Sequence, residues 1–160
     1  MDIEFAENLN DDYCDYKEYE RVTIEKLLSR VKEADRQKAR ELLDDSLNSG
    51  LVHLTVGYIE DCFFEASEIG YLEFTSAQLA EQTARADSPF IKINGKIKNM
   101  LVVISTGDDE EMTMLEVSNC VKEIENSIES ATGQKTEPDK MNWSMVQKEP
   151  AGFIRLLVQL

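Results

Sequence analysis

From Thr23 onward, apolar residues recur at helical spacing: Ile24, Leu27, Leu28 and Val31, then Ala39, Leu42, Leu43 and Leu47, with charged residues between them. Such a stripe belongs to an amphipathic helix laid on a core. It predicts a leading helix over 23–49 that stops at Gly50, either unbroken or as two helices joined near 34–37. After Gly50 the period changes, and L-V-H-L-T-V at 51–56 reads as an extended segment. Ile59, Cys62, Phe63, Ala66 and Ile69 return to helical spacing, with Gly70 suited to the left-handed stop. A short strand follows at 71–74, then Thr75 and Gln78 stand as a capping box that opens a helix to about Ala86, closed by Ser88-Pro89.

Asn94-Gly95 marks a turn, and M-L-V-V-I at 100–104 has the unbroken apolar character of a strand covered on both faces. Thr113 and Glu116 form a second capping box at the head of a helix carrying Met114, Val117, Val121, Ile124 and Ile128, which Gly133 ends. The stretch 141–146 alternates, Pro150 and Gly152 mark a turn, and 153–160 runs apolar, which reads as two adjacent strands joined by a hairpin. The order predicts an α/β (α+β) fold: a mixed sheet of about four strands packed by helices and preceded by an N-terminal amphipathic helix. An apolar strand at 153–160 on the rim of that sheet would favour a homodimer through its unpaired edge.

The 160 residues suffice for one domain with a real core. We place it at 23–160, after an acidic N-terminal segment, 1–22, that reads as a mobile lead-in. Seven carboxylates fall in the first 19 residues, interrupted by Tyr13, Tyr16 and Tyr19, whose spacing of three puts them along one side of a helix and makes them candidates for contact with a partner. Lys plus Arg number 17 against 32 Asp plus Glu, a formal charge of −15. That balance argues against nucleic acid, whose affinity comes from basic side chains releasing counterions. No apolar run approaches the roughly 20 residues of a membrane helix, and the acidic start lacks the basic opening of a secretory signal, so a cytoplasmic protein is expected.

Candidate chemistry is sparse. Cys14, Cys62 and Cys120 form no C-x-x-C pair, the single histidine is His53, and no phosphate-cradling glycine loop occurs. The acidic run at 108–111 lacks the alternating oxygen ligands and central glycine of a calcium loop. Asp61 and Glu65 share a face at i, i+4 beside Glu60, but exposed carboxylates opposite an apolar stripe are ordinary on an amphipathic helix. No catalytic residue, cofactor or metal site is expected.

From Asp87 onward the chain resembles the C-terminal domain of the bacterial division GTPase FtsZ, a tubulin relative. S-P-F-I at 88–91 resembles that family's S-P-L-L, K-N-M-L-V-V-I-S-T-G at 98–107 its G-V-L-V-N-I-T-G strand, and T-M-L-E-V at 113–117 its T-L-x-E-V helix start. The residues 141–149 resemble its penultimate strand, and F-I-R-L-L-V at 153–158 its last, I-R-V-T-V-I-A. Upstream, G-L-V-H-L-T-V-G-Y-I at 50–59 lies on G-L-I-N-L-D-F-A-D-V, the family's loop that presents an Asn and two acidic residues to a neighbouring subunit's GTP. An alternative placement puts 1–7 on that motif.

The resemblance implies a two-layer sandwich and a partner-contacting loop. At the matching positions stand His53, Thr55 and Tyr58, without a carboxylate to position water. The G-G-G-T-G-T-G nucleotide loop of the family does not occur in these residues. The expectation is a non-catalytic protein-binding or scaffold module, whose partner is a protein such as an FtsZ-like filament that it would cap. The competing expectation is an acidic inhibitor or immunity-type protein that binds a basic partner.

Overall fold

A computed structural model of the chain describes residues 3–48, 54–80, 99–107, 112–133 and 141–159. Helix α1 (Ile3–Leu28) is followed by a 3-10 turn (Glu33–Asp35) and α2 (Arg36–Asn48). The leading stripe is therefore two helices, and α1 runs back through the predicted lead-in and across position 22. The break is built locally: Arg30 and Val31 N–H groups donate to the carbonyls of Leu27 and Leu28 at 3.1 Å each, and Arg36 Nε donates to Val31 O at 3.0 Å. These bonds satisfy carbonyls that a helix end leaves open. Within α2, Ala39, Leu42, Leu43 and Ser46 are buried at i, i+3, i+4 and i+7.

Helix α3 (Val56–Cys62) starts where the extended segment was expected to end, with Thr55 Oγ1 accepting from Tyr58 N–H at 3.3 Å. It does not continue to Gly70. Phe63 and Ala66 are buried from a turn, while Ile69 and Gly70 open strand β1 (Ile69–Thr75). The sheet wins that competition because Ile69 donates to Arg30 O at 3.0 Å, pairs with Gln159 and bridges to Val31. The capping box at Thr75 and Gln78 forms with both bonds, 2.9 and 3.0 Å, at the start of α4 (Ser76–Ala80). The expected turn at Asn94-Gly95 lies outside the described residues.

Strand β2 (Met100–Ser105) is buried along its whole length. Helix α5 (Met114–Thr132) carries the predicted capping box between Thr113 and Glu116 and ends on Gly133 at φ 73°. Strands β3 (Met141–Val146) and β4 (Phe153–Gln159) complete one sheet of order β1-β4-β2-β3. β4 is antiparallel to both neighbours, and β3 runs parallel to β2. The expected hairpin is not made, and β4 is no edge. It enters the middle because I-R-L-L-V-Q is buried throughout, whereas β3 carries Asn142, Ser144 and a half-buried Trp143. Gly152 guides that entry: its φ is +80°, its N–H donates to Ser105 O at 2.8 Å, and a Cβ there would stand 2.7 Å from Ser76 Oγ.

Both faces of the sheet are covered, so the layers number three and not two. On one face Val102, Ile104, Ile154 and Leu156 meet Val117, Cys120, Ile124 and Ile128 of α5. On the other, Leu101, Val103 and Leu157 meet Leu27 and Leu28 of α1, Leu42 and Leu43 of α2, and Ile59 of α3. Each fully buried Leu or Ile contributes about 1.5–3 kcal/mol of transfer free energy. No helix among the described residues is long and apolar enough to cross a membrane.

Candidate functional site

The two faces differ in chemistry. The α5 face is wholly apolar within the sheet, while the face under α1, α2 and α3 holds Asn142, Ser144, Arg155 and Gln159 among its buried residues. Strand pairing aligns Glu73, Arg155, Val103 and Ser144 in a row across it. Arg155 Nη2 donates to Asp45 Oδ2 of α2 at 2.7 Å, and Lys148 Nζ reaches the same oxygen at 3.3 Å. Beside them Tyr71 donates to Glu73 at 2.8 Å, and Lys38 of α2 binds Glu73 at 3.1 Å. This row fixes α2 on the sheet.

The second cluster gathers around α3, where several residues singled out from sequence arrive. Tyr58 Oη donates to Asn142 Oδ1 at 2.6 Å, and Asn142 Nδ2 donates to Cys62 Sγ at 2.9 Å. Thr55 is committed to the helix cap. Tyr19 Oη and Thr23 Oγ1, both from α1, donate to Glu60 Oε2 at 3.1 Å each. Tyr16 is exposed on α1, Tyr13 lies on the α1 backbone, and His53 lies outside the described residues together with the side chain of Tyr13. The structure thus ties Tyr19 to α3 through Glu60 and Tyr58 to β3 through Asn142, with no bond joining the two groups.

Of the three carboxylates Glu60, Asp61 and Glu65, Glu60 is occupied by two hydroxyl donors, and Glu65 lies beyond the end of α3. Burial pushes the Cys62 thiol up, helped by the charge of Asp61 and opposed by the bond from Asn142. Cys120 is likewise raised, first by burial and then by Glu123 and Glu116. Both sulfurs therefore favour the thiol over the nucleophilic thiolate. Among the described residues no three His, Cys, Asp or Glu side chains gather as a metal site.

Two grooves flank this architecture. One, of about 160 Å³, lies between α1 and α3 and is lined by Thr23, Lys26, Leu27, Arg30, Glu60 and Phe64. The other, of about 420 Å³, lies beside α5 and includes Ala77, Met112, Glu116, Cys120, Glu123 and Gly152. Among the described residues the exposed large apolar side chains are Tyr16, Tyr19, Tyr58, Phe64 at 74%, Met114 and Leu115. Sequence reasoning did not single out Phe64, Asn142 or Arg155. The lone charge inside the apolar run of β4 was the available signal for Arg155. No known protein family matches the chain, and no curated protein is significantly similar to it.

Proposed function

We propose that the chain is a non-catalytic protein-binding module of FtsZ C-terminal type, which docks on a filament-forming relative. One observation carries this reading. Four of the stretches that bear the resemblance, at 100–105, 113–117, 141–146 and 153–158, fall in that order on β2, the capped start of α5, β3 and β4, while the match at 88–91 lies outside the described residues. The segment matched to the subunit-contacting loop leads into α3 and places no carboxylate there: Thr55 caps the helix and Tyr58 holds Asn142. Beside it Tyr58 and Phe64 offer exposed aromatic area, the kind of side chain that anchors protein interfaces. A module of this kind occupies one end of a filament and blocks growth there.

The charge of −15, together with Glu116 and Glu123 lining the larger groove, favours a second reading in which a basic protein is the partner. Pelleting of polymerising FtsZ with GTP, at low and high salt, separates the two. Loss or bundling of polymer at both salts supports the first reading. Unchanged polymer with the chain left in the supernatant sinks it, and capture of a basic partner only at low salt supports the second.

A further inference from the structure

The groove between α1 and α3 carries a charge opposite to that of the molecule. Against a formal −15 for the whole chain, its described lining holds two cations, Lys26 and Arg30, and one carboxylate, Glu60, whose Oε2 already accepts from Tyr19 and Thr23 at 3.1 Å each. Neither cation is in an ion pair among the described residues. Lys26 stands exposed in the last turn of α1. Arg30, just past that helix, is fixed at both ends: its Nη1 donates to Phe63 O at 2.9 Å, and its own carbonyl accepts from Ile69 N–H at 3.0 Å. One bond to a carbonyl uses one of the five N–H donors of a guanidinium, so others meet a carboxylate without the side chain first having to be ordered.

The apolar part of the groove is small. Its walls include the buried Leu27 and the exposed Phe64, and its volume of about 160 Å³ is close to that which takes up a single aromatic ring. Asp61 and Glu65, both exposed and close to Phe64 in sequence, repel a ligand that brings several carboxylates. The groove therefore suits one carboxylate beside one apolar side chain, carried by a segment that is otherwise neutral or basic. We propose that it captures the C-terminal residue of a partner chain, with the apolar side chain against Leu27 and Phe64 and the α-carboxylate between Lys26 and Arg30. A chain terminus carries both groups on one carbon, which an internal Asp or Glu does not. The inference rests on the reading of the chain as a protein-binding module and names what this side of it recognises.

Fluorescence anisotropy of the full chain at about 0.15 M salt tests it with a labelled octapeptide of alternating Lys and Gly that ends in Ser-Phe, prepared as the free acid and as the C-terminal amide. General attraction to an acidic chain favours the amide, which is more positive by one charge. The groove favours the acid, which is expected to bind at least about tenfold more tightly. Lys26→Gln, a change at an exposed side chain, is expected to reduce that preference, adding Arg30→Gln to abolish it, and Phe64→Ser to weaken both peptides. An amide that binds as tightly as the acid, or a preference untouched by Lys26→Gln, overturns the proposal. With polymerising FtsZ pelleted in parallel, altered polymer beside an unselective groove sinks this inference alone, and a selective groove beside unchanged polymer supports it and sinks the filament alone.

Discussion

Arg155 is the only charged side chain buried among the described residues, and its Nε has no hydrogen-bond partner. Its value lies in the bond to Asp45, since a buried pair is costly to break from one side. Arg155→Ala is expected to lower the unfolding free energy by about 3 kcal/mol, while Arg155→Met combined with Asp45→Leu recovers most of that loss. Urea denaturation of the wild type and the two variants measures it, and an Arg155→Ala chain as stable as wild type would refute it. Near this pair, burial and then the bond to Glu73 push the Tyr71 phenol above its ordinary value. The folded chain therefore keeps Tyr71 protonated where the unfolded chain ionises. Its contribution is complete below about pH 10 and declines as pH rises further. Burial pushes Glu73 upward, but the bonds from Tyr71 and Lys38 outweigh it and hold the carboxyl low, so this contribution disappears on acidification instead. Tyr71→Phe should flatten the alkaline fall in urea midpoint; equal slopes in both chains would contradict the assignment.

The helices end where their caps say they should, provided the cap is local. For α5, Thr113→Ala is expected to cost about 1 kcal/mol, and Gly133→Ala, at φ 73°, a similar amount. The two ends share no partner, so the losses should add in chemical denaturation. A double variant no worse than either single one would show that α5 frays without consequence. Caps at Thr75 and Thr113, and the unbroken apolar strand β2, were legible because their causes lie within a few residues. The end of α3 was not, because Ile69 is claimed by Gln159 and Val31 from distant parts of the chain. The same holds for the candidate site: Thr55 and Tyr58 stood out in the sequence, but the Asn142 that Tyr58 holds is 84 residues away. A hairpin between β3 and β4 was the local solution, and the sheet prefers the wholly buried β4 at its centre.

Across the whole molecule, β4 is the strand on which the sheet depends, pairing with β1 on one side and β2 on the other. Removing 153–159 would leave β1 with no neighbouring strand and a gap beneath α2. Such a chain is expected to lose its cooperative thermal transition and its dispersed amide spectrum, whereas trimming a true edge strand would leave both recognisable. Survival of the transition would mean that the two helical layers cohere without the central strand.

The position of β4 also sets a schedule for synthesis. Ile69 of β1 and its partner Gln159 are 90 residues apart, so at about 5–20 residues per second the first strand leaves the ribosome roughly 4–18 s before the strand that completes it. For that interval β1 has no strand to pair with, and another nascent chain from the same messenger offers the same edge. The helices already made, α1 to α3, cover one face of β1 from the moment it emerges, so the N-terminal third of the chain acts as the guardian of an unfinished sheet.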